Sequence, residues 1–171
     1  MASVLTLDNV NVDNMTVLVR VDINCPLHPG TKSFLDTTRI RAIVPTLNRL
    51  TSAKVVLLAH QSRPGNQDFT STLGHSRELG RLLGRPIQWV EDLAGEKAMK
   101  AIETLKCGEI LMLNNVRMYD EETKTKGDFN THSETTMIQN LASVADLFVY
   151  DAFACAHRST TSGVCFPYVI L

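Results

Sequence analysis

Short apolar runs alternate along the chain with segments in which apolar residues recur every three or four positions. The apolar runs predict five β-strands, at 16–21, 54–59, 86–90, 109–113 and 147–150. The segments between them predict amphipathic helices, the first capped by Asp36 and kinked or broken at Pro45, the second ending at Gly84. The polar, charged segment 119–130 is predicted to be a solvated loop.

This alternation also predicts the fold class. Continuous apolar strands separated by amphipathic helices are typical of a parallel sheet that is covered on both faces. We therefore expect an α/β fold: a Rossmann-like, open, mainly parallel sheet with helices on both faces, in three α/β/α layers. A length of 171 residues suits one domain. The apolar run at 163–171 has no polar tail, and we expect such an end to pack against further structure.

Charge and composition narrow the range of partners. The formal net charge of −1 gives no overall attraction to nucleic acid or to an anionic membrane. No apolar run approaches the roughly 20 residues that span a bilayer, and the N-terminus lacks the basic start of a signal peptide. We expect a cytoplasmic protein with neither partner.

The four cysteines are expected to be free thiols. They are far apart and form no C-x-x-C pair; they are Cys25, Cys107, Cys155 and Cys165. Cys155 lies close to His157, but no second pair of ligands stands at a spacing usual for zinc. We therefore expect no metal.

Polar residues follow four of the predicted strands directly. In a parallel sheet these strand ends meet at one edge, where ligands bind. Each residue alone has an ordinary explanation as a turn residue, a loop histidine, a surface charge or, for Arg20, a structural partner of an acid at this edge. Together they bring up to six arginines to one edge of a nearly neutral chain, which predicts a site for a small polyanion. The arginines are Arg20, Arg39, Arg41, Arg63, Arg117 and Arg158.

Five segments resemble, in the same order, motifs of the N-terminal domain of the phosphoglycerate kinase family. Their residues favour its archaeal branch. They are VLVRVDINCP, DTTRIRAIVPTL, LLAHQSRPG, GEILMLNNVRMY and VYDAFACAHRSTTSGV. The resemblance spans nearly the whole chain. Departures from the family pattern, at Cys25, Asn114 and Tyr150, fall outside the residues expected to contact substrate.

The resemblance implies phosphoryl transfer between 1,3-bisphosphoglycerate and ADP, which gives 3-phosphoglycerate and ATP in glycolysis. It implies that residues 1–171 are the phosphoglycerate-binding domain and that the C-terminal nucleotide-binding domain is absent. Mg-ATP or Mg-ADP would bind that second domain of the full-length enzyme, expected to be a monomer, and no cofactor would bind this chain alone. Neither G-x-x-x-x-G-K nor G-x-G-x-x-G occurs here, so we expect no turnover by the isolated chain.

The resemblance also assigns the site. The substrate-binding residues would be Asp22, Asn24, Arg39, His60, Arg63, Arg117 and Arg158. Arg39 would be the catalytic group, nearest the transferring phosphoryl. The arginines at positions 63, 117 and 158 would hold the distant 3-phosphate, with His157 beside the last of them. The acid and amide at positions 22 and 24 would take the hydroxyl and carboxyl end.

Two other functions stay open. One is a phosphatase that uses Asp22 as nucleophile, although the second aspartate of that pattern is replaced by Asn24. The other is a non-catalytic anion-binding or interaction domain, whose apolar end would pair with another chain through Phe166 and Val169.

Overall fold

The computed structural model describes residues 5–156 and 160–170, except the side chain of Tyr168. Its strands form one sheet, in the order β3-β4-β2-β1-β5, and every pairing is parallel. The strands are β1 (Thr16–Val21), β2 (Lys54–Leu58), β3 (Gln88–Trp89), β4 (Ile110–Met112) and β5 (Leu147–Asp151). All five predicted strands are confirmed, with β3 and β4 shorter than the apolar runs.

The helices are mostly short; α1 to α7 connect successive strands, and α8 and α9 follow β5. They are α1 (Thr38–Ala42), α2 (Val44–Asn48), α3 (Leu73–Leu83), α4 (Glu96–Thr104), α5 (Asp120–Thr123), α6 (Phe129–Ser133), α7 (Thr136–Ala142), α8 (Thr161–Val164) and α9 (Phe166–Val169). Three 3₁₀ turns are described as well, at Leu7–Asn9, Val116–Met118 and Phe153–Cys155.

Alternate residues of the strands face two separate hydrophobic cores. Val17 and Val19 of β1 pack with Ile40, Leu47 and other side chains of α1, α2 and α3 on one face. Leu18, between them, packs on the other face with side chains from α4, α7 and α9. This alternation follows from the two-residue period of a strand. The expected three-layer α/β/α fold is confirmed.

The helix break predicted near Pro45 and the helix end predicted at Gly84 are both confirmed. Pro45 is the second residue of α2, and the helical segment is divided at Ile43, because proline cannot donate the interior hydrogen bond. Gly84 ends α3 with φ 67°, a left-handed conformation that favours glycine. Asp36 accepts a hydrogen bond from the amide of Thr38, although the residue at the N-cap of α1 is Thr37.

The prediction of a solvated loop at 119–130 is correct for the mostly exposed residues 124–128 and wrong on either side of them. The segment forms α5 and the start of α6, and Glu122 in α5 is 7% exposed. The carboxylate of Glu122 accepts hydrogen bonds from the amide and the hydroxyl of Ser162, each 2.8 Å long. The acid is buried because its partner comes from a segment forty residues later.

The described part of the C-terminal apolar run forms the end of α8 and the whole of α9. Phe166 is fully buried, so it cannot belong to a surface that receives another chain, as the interaction hypothesis required. It stacks at a tilt against Phe148 of β5, with ring centroids 5.2 Å apart. Val169 is partly exposed. In the described parts of the chain no helix combines the length and the apolar character needed to cross a bilayer.

Candidate functional site

The topology leaves two crevices at the carboxyl edge of the sheet. The connections that follow β1 and β2 cover one face, whereas those that follow β4 and β5 cover the other. Because β2 neighbours β4 and β1 neighbours β5, adjacent loops diverge at both borders. Ligands of open α/β sheets bind in such crevices.

Asp22 and Arg39 meet at the crevice between β1 and β5. An Nη1 atom of Arg39 donates to Oδ2 of Asp22 at 2.6 Å, and the amide of Asn24 donates to Oδ1 at 3.2 Å. The hydrogen bond and the charge of Asp22 raise the pKa of the Arg39 guanidinium. Half of the Arg39 side chain is exposed.

Asn24 joins the loop after β1 to the loop after β2. Its side-chain oxygen accepts from the amide of Ser62 at 2.8 Å, which leaves the NH₂ group as the part that could donate to a ligand. Ser62 has φ 57°, an uncommon conformation for a residue with a side chain. Its hydroxyl donates to Asp68, and its carbonyl accepts from Arg117. These contacts hold the strained turn in place.

Arg63 and Arg117 line one cavity of about 340 Å³ at the border of β2 and β4. Pro64, Glu122 and Thr123 complete its lining. Arg117 follows β4 in a 3₁₀ turn that Asn115 caps, since the side chain of Asn115 accepts from the amide of Arg117 at 3.1 Å. Two arginines that are distant in sequence therefore share one cavity.

His60 lies behind these groups and is 2% exposed. Its Nδ1 atom is 3.1 Å from Nη2 of Arg20. One ring nitrogen of His60, a carboxylate oxygen of Asp22 and the sulfur of Cys155 all lie within 4.8 Å of one another. Arg20 is therefore a structural residue, as expected, although its described hydrogen-bond partners are a serine, a histidine and two carbonyls rather than an acid.

The side chain of Gln61, which follows β2, contacts the loop after β1 and helix α3. Its side-chain NH₂ donates to the carbonyl of Cys25 at 2.9 Å, and its oxygen accepts from the amide of Cys25 at 3.2 Å and from Nε2 of His75 at 2.9 Å. Asn115 donates to the carbonyls of Gln61 and Thr70 at 2.9 and 2.8 Å. Burial lowers the pKa of His75 to about 4, so this histidine is a neutral hydrogen-bond donor.

Two buried contacts fix the segment that leads out of the edge after β5. Ser162 binds Glu122, and the hydroxyl of Thr161 donates to the carbonyl of Glu121 at 2.7 Å. Nδ1 of His132 is 2.8 Å from the same hydroxyl. Helix α8 is thereby tied to α5 and α6.

The described residues thus bring together six of the seven predicted site residues. Asp22, Asn24 and Arg39 meet at the first crevice, Arg63 and Arg117 meet at the second, and His60 lies within reach of Asp22. The seventh, Arg158, and its neighbour His157 lie outside the described residues. Sequence reasoning missed the supporting residues, although Gln61 and Asn115 stand in the polar clusters after β2 and β4, where that signal was present.

Fold and edge together define a parallel α/β domain with arginines gathered where its strands end. The family model of phosphoglycerate kinase matches residues 7–171. Phosphoglycerate kinases of Methanobacterium bryantii and Methanothermus fervidus are each 46% identical, over 94% and 95% of this chain. The crystal structure of phosphoglycerate kinase from Pyrococcus horikoshii OT3 matches 98% of this chain, with a TM-score of 0.92 and 37% identity.

The chain belongs to the phosphoglycerate kinase family. It spans about 40% of the length of the curated relatives that it matches, and 41% of the Pyrococcus chain. A phosphoglycerate kinase from Coxiella burnetii shares the fold at lower similarity, with a TM-score of 0.68 and 28% identity.

Proposed function

We propose that the carboxyl edge binds 3-phosphoglycerate or 1,3-bisphosphoglycerate and that the chain is the phosphoglycerate-binding domain of a glycolytic kinase. The observation that carries the proposal is the pairing of Arg63 and Arg117 in one cavity, with the Asp22–Arg39 pair and His60 at the neighbouring crevice. A ligand with an anionic group at each end fits this division. Membership of the phosphoglycerate kinase family supports a phosphoglycerate as that ligand.

The cavity lined by Arg63 and Arg117 is the proposed site of the 3-phosphate. Guanidinium groups bind phosphate oxygens through two parallel hydrogen bonds, and such charge-assisted bonds are about twice as strong as neutral ones. Arg117 already donates to the carbonyl of Ser62, which fixes the direction of its fork. The sequence supplies Arg158 as a third cation for the same phosphate.

The opposite end of the ligand would lie at the crevice between β1 and β5. Arg39 would neutralise charge on the transferring phosphoryl group, and it is the proposed catalytic residue. Asp22 accepts hydrogen bonds only, so it would receive the hydroxyl of the glycerate, while the NH₂ of Asn24 would donate to the carboxyl end. His60 would donate to an oxygen of the same ligand.

Phosphoryl transfer depends on positioning and charge neutralisation more than on a nucleophilic side chain. This list of residues contains no activated nucleophile, which agrees with that chemistry. The sequence offers no glycine-rich phosphate loop of either common pattern. We therefore propose that Mg-ATP and Mg-ADP bind elements of the whole kinase that this chain does not match, and that the chain alone does not turn over.

Nothing in the geometry favours the phosphatase hypothesis. Both carboxylate oxygens of Asp22 accept hydrogen bonds, one from Arg39 and the other from the amide of Asn24. Position 24 is an asparagine, which cannot act as the acid that this class of reaction needs.

The direct test is calorimetric titration of the chain with 3-phosphoglycerate. We expect saturable binding with a Kd on the order of 1 mM, because several charge-assisted hydrogen bonds form but ordering the ligand and the arginines costs much of their free energy. Glycerate, which lacks the phosphate, should bind at least about tenfold more weakly, since it loses the contacts to two arginines.

The matched variants are Arg63→Met and Arg49→Met, which each remove one exposed arginine. Arg63 lines the proposed phosphate cavity, whereas Arg49 lies at the end of α2, next to the opposite edge of the sheet. The first variant should lose most of the binding and the second should retain it. A titration without saturable heat, or equal binding of glycerate and 3-phosphoglycerate, would contradict the proposal.

A further inference from the structure

Three potential metal ligands of different chemistry converge at the proposed substrate site. Asp22 follows β1, His60 follows β2, and Cys155 ends the 3₁₀ turn after β5, yet their ligand atoms lie within 4.8 Å of one another. An oxygen, a nitrogen and a sulfur in this arrangement resemble the three protein ligands of an open zinc centre. Spacing in the sequence could not reveal this triad, because its members come from three separate loops.

Arg20 stands against one member of the triad. It is 3% exposed, and its Nη2 atom is 3.1 Å from Nδ1 of His60. A guanidinium group has only donors, so Nδ1 must be the acceptor of this hydrogen bond. The proton of the neutral imidazole is therefore on Nε2.

This protonation state excludes a metal at either ring nitrogen. A metal at Nδ1 of His60 would have to displace the guanidinium of Arg20. A metal at Nε2 would move the ring proton to Nδ1, where two N–H donors would then face each other. In both cases a divalent cation would also approach the fixed positive charge of Arg20, at a site where Arg39 already occupies the carboxylate of Asp22.

Arg20 is held in place, because its Nε and Nη1 donors are also engaged in buried contacts. Its Nε atom donates to the hydroxyl of Ser162 at 3.0 Å, and its Nη1 atom donates to the carbonyls of Val21 and Leu58 at 2.9 and 3.4 Å. The hydroxyl of Ser162 in turn donates to Glu122 at 2.8 Å. A buried acid thus holds the buried arginine through one serine.

We propose that Arg20 is the positioning residue that makes this cluster select anions over metal ions. It fixes His60 as an Nε2–H donor, and it keeps a triad with the composition of a zinc site from binding divalent transition metals. The identity of the anion rests on the proposed function, but the state of His60 and the exclusion of metal do not.

The first experiment is titration of wild-type protein and of Arg20→Met with Co²⁺, followed by the absorption band that a cobalt–thiolate bond produces. In the variant we expect binding at least tenfold tighter than in the wild type, with release of the Cys155 thiol proton as the metal–sulfur bond forms. Adding Cys155→Ser should abolish the band, whereas adding Cys107→Ser at an exposed cysteine should leave it unchanged. Arg85→Met, which removes a half-buried arginine that binds two carbonyls elsewhere, should not gain the band.

A second measurement uses only the wild-type chain, so it tests the proposal even if Arg20→Met does not fold. The ¹⁵N shifts of the imidazole of His60 in the wild-type chain should identify the Nε2–H form. Wild-type binding of Co²⁺ through Cys155 as tight as in the variant, or an Nδ1–H form of His60, would overturn the proposal. If 3-phosphoglycerate does not bind but both expected results appear, the proposed function fails and the role of Arg20 stands.

Discussion

Two exposed arginine–aspartate pairs, one at each edge of the sheet, show what distinguishes the candidate site from ordinary surface. Arg39 pairs with Asp22 at the carboxyl edge, and Arg49 pairs with Asp8 beside the opposite edge. The arginines are similarly exposed, at 50% and 56%. The aspartates differ, because the side chain of Asp22 is 12% exposed and that of Asp8 is 58% exposed.

The difference lies in what stands behind each acid. Asp22 also accepts from the amide of Asn24, and its carboxylate lies near His60 and Cys155. Behind them Arg20 and its buried partners form a second layer. The carboxyl edge therefore combines exposed, adjustable arginines with a fixed polar interior, which is the preorganisation that anion recognition needs.

The largest loss of stability should come from disrupting the buried polar network behind the carboxyl edge. Glu122→Ala should lower the free energy of unfolding by about 3 kcal/mol, because it leaves the buried amide and hydroxyl of Ser162 without their acceptor and removes the acid that holds the buried Arg20 through that serine. Asp120→Ala, on the same helix, breaks only an exposed pair with Lys124 and should cost about 0.5 kcal/mol or less. Urea unfolding measures both. Equal midpoints for the two variants would show that the interior network does not stabilise the edge.

Acid should weaken the same interior through His75. Its folded pKa of about 4 is below the ordinary 6.5, so the folded state favours the neutral ring. Its contribution is fully present above pH 6.5 and is lost as the pH falls from 6.5 through 4, by about 3 kcal/mol in total. Unfolding measured from pH 7 to 4 should show this fall in the wild type.

The control for this pH dependence is His75→Gln, which keeps a donor for Gln61 but does not titrate in this range. Its free energy of unfolding should fall less steeply with decreasing pH than that of the wild type. Between pH 6.5 and 4 the difference in slope should correspond to at most one proton taken up on unfolding. Parallel curves for the two proteins would mean that His75 is not the group that responds.

Binding should separate the two exposed arginines. Arg39→Met should weaken binding of 3-phosphoglycerate by roughly 10- to 100-fold, the equivalent of about 1.5–3 kcal/mol for a charge-assisted contact. Its stability should change little, since the pair is half exposed. Arg49→Met should leave the affinity unchanged. A loss of affinity of the same size in both variants would indicate attraction by net charge alone.

The smallest effect is expected at the other pair. Asp8→Ala should change the free energy of unfolding by no more than about 0.5 kcal/mol, because both partners are solvated and the contact is screened by salt. Thermal unfolding at low and high salt would measure it. A change of more than about 2 kcal/mol would mean that the second edge is as organised as the first.

Local features of the sequence were sufficient to predict the sheet and the helix breaks. The strand β1 is mostly apolar because it is buried on both faces, and Pro45 and Gly84 act through their own backbones. The helix α5 was not predictable in the same way. All of its residues are polar, and the burial of Glu122 depends on Ser162 beside it.

The candidate site likewise has parts that local sequence predicts and parts that depend on contacts between distant segments. The arginines and Asp22 could be proposed from the sequence because strand ends in a parallel sheet share one edge. The pairing of Arg63 with Arg117 and the triad with Cys155 depend on strand order, which the sequence pattern does not specify. Support from Arg20 depends on the rotamer of a buried side chain, which no spacing rule describes.

The most direct test of the account is to map where 3-phosphoglycerate binds, by following backbone amide NMR signals of the chain during a titration. We expect saturable shifts at the carboxyl edge, at Asn24, Ser62 and Arg117, and constant signals at Asn9, Asn14 and Gly108 near the strand starts. Saturable shifts away from the carboxyl edge, or none at all up to concentrations well above 1 mM, would contradict the claim that this edge is the phosphoglycerate site.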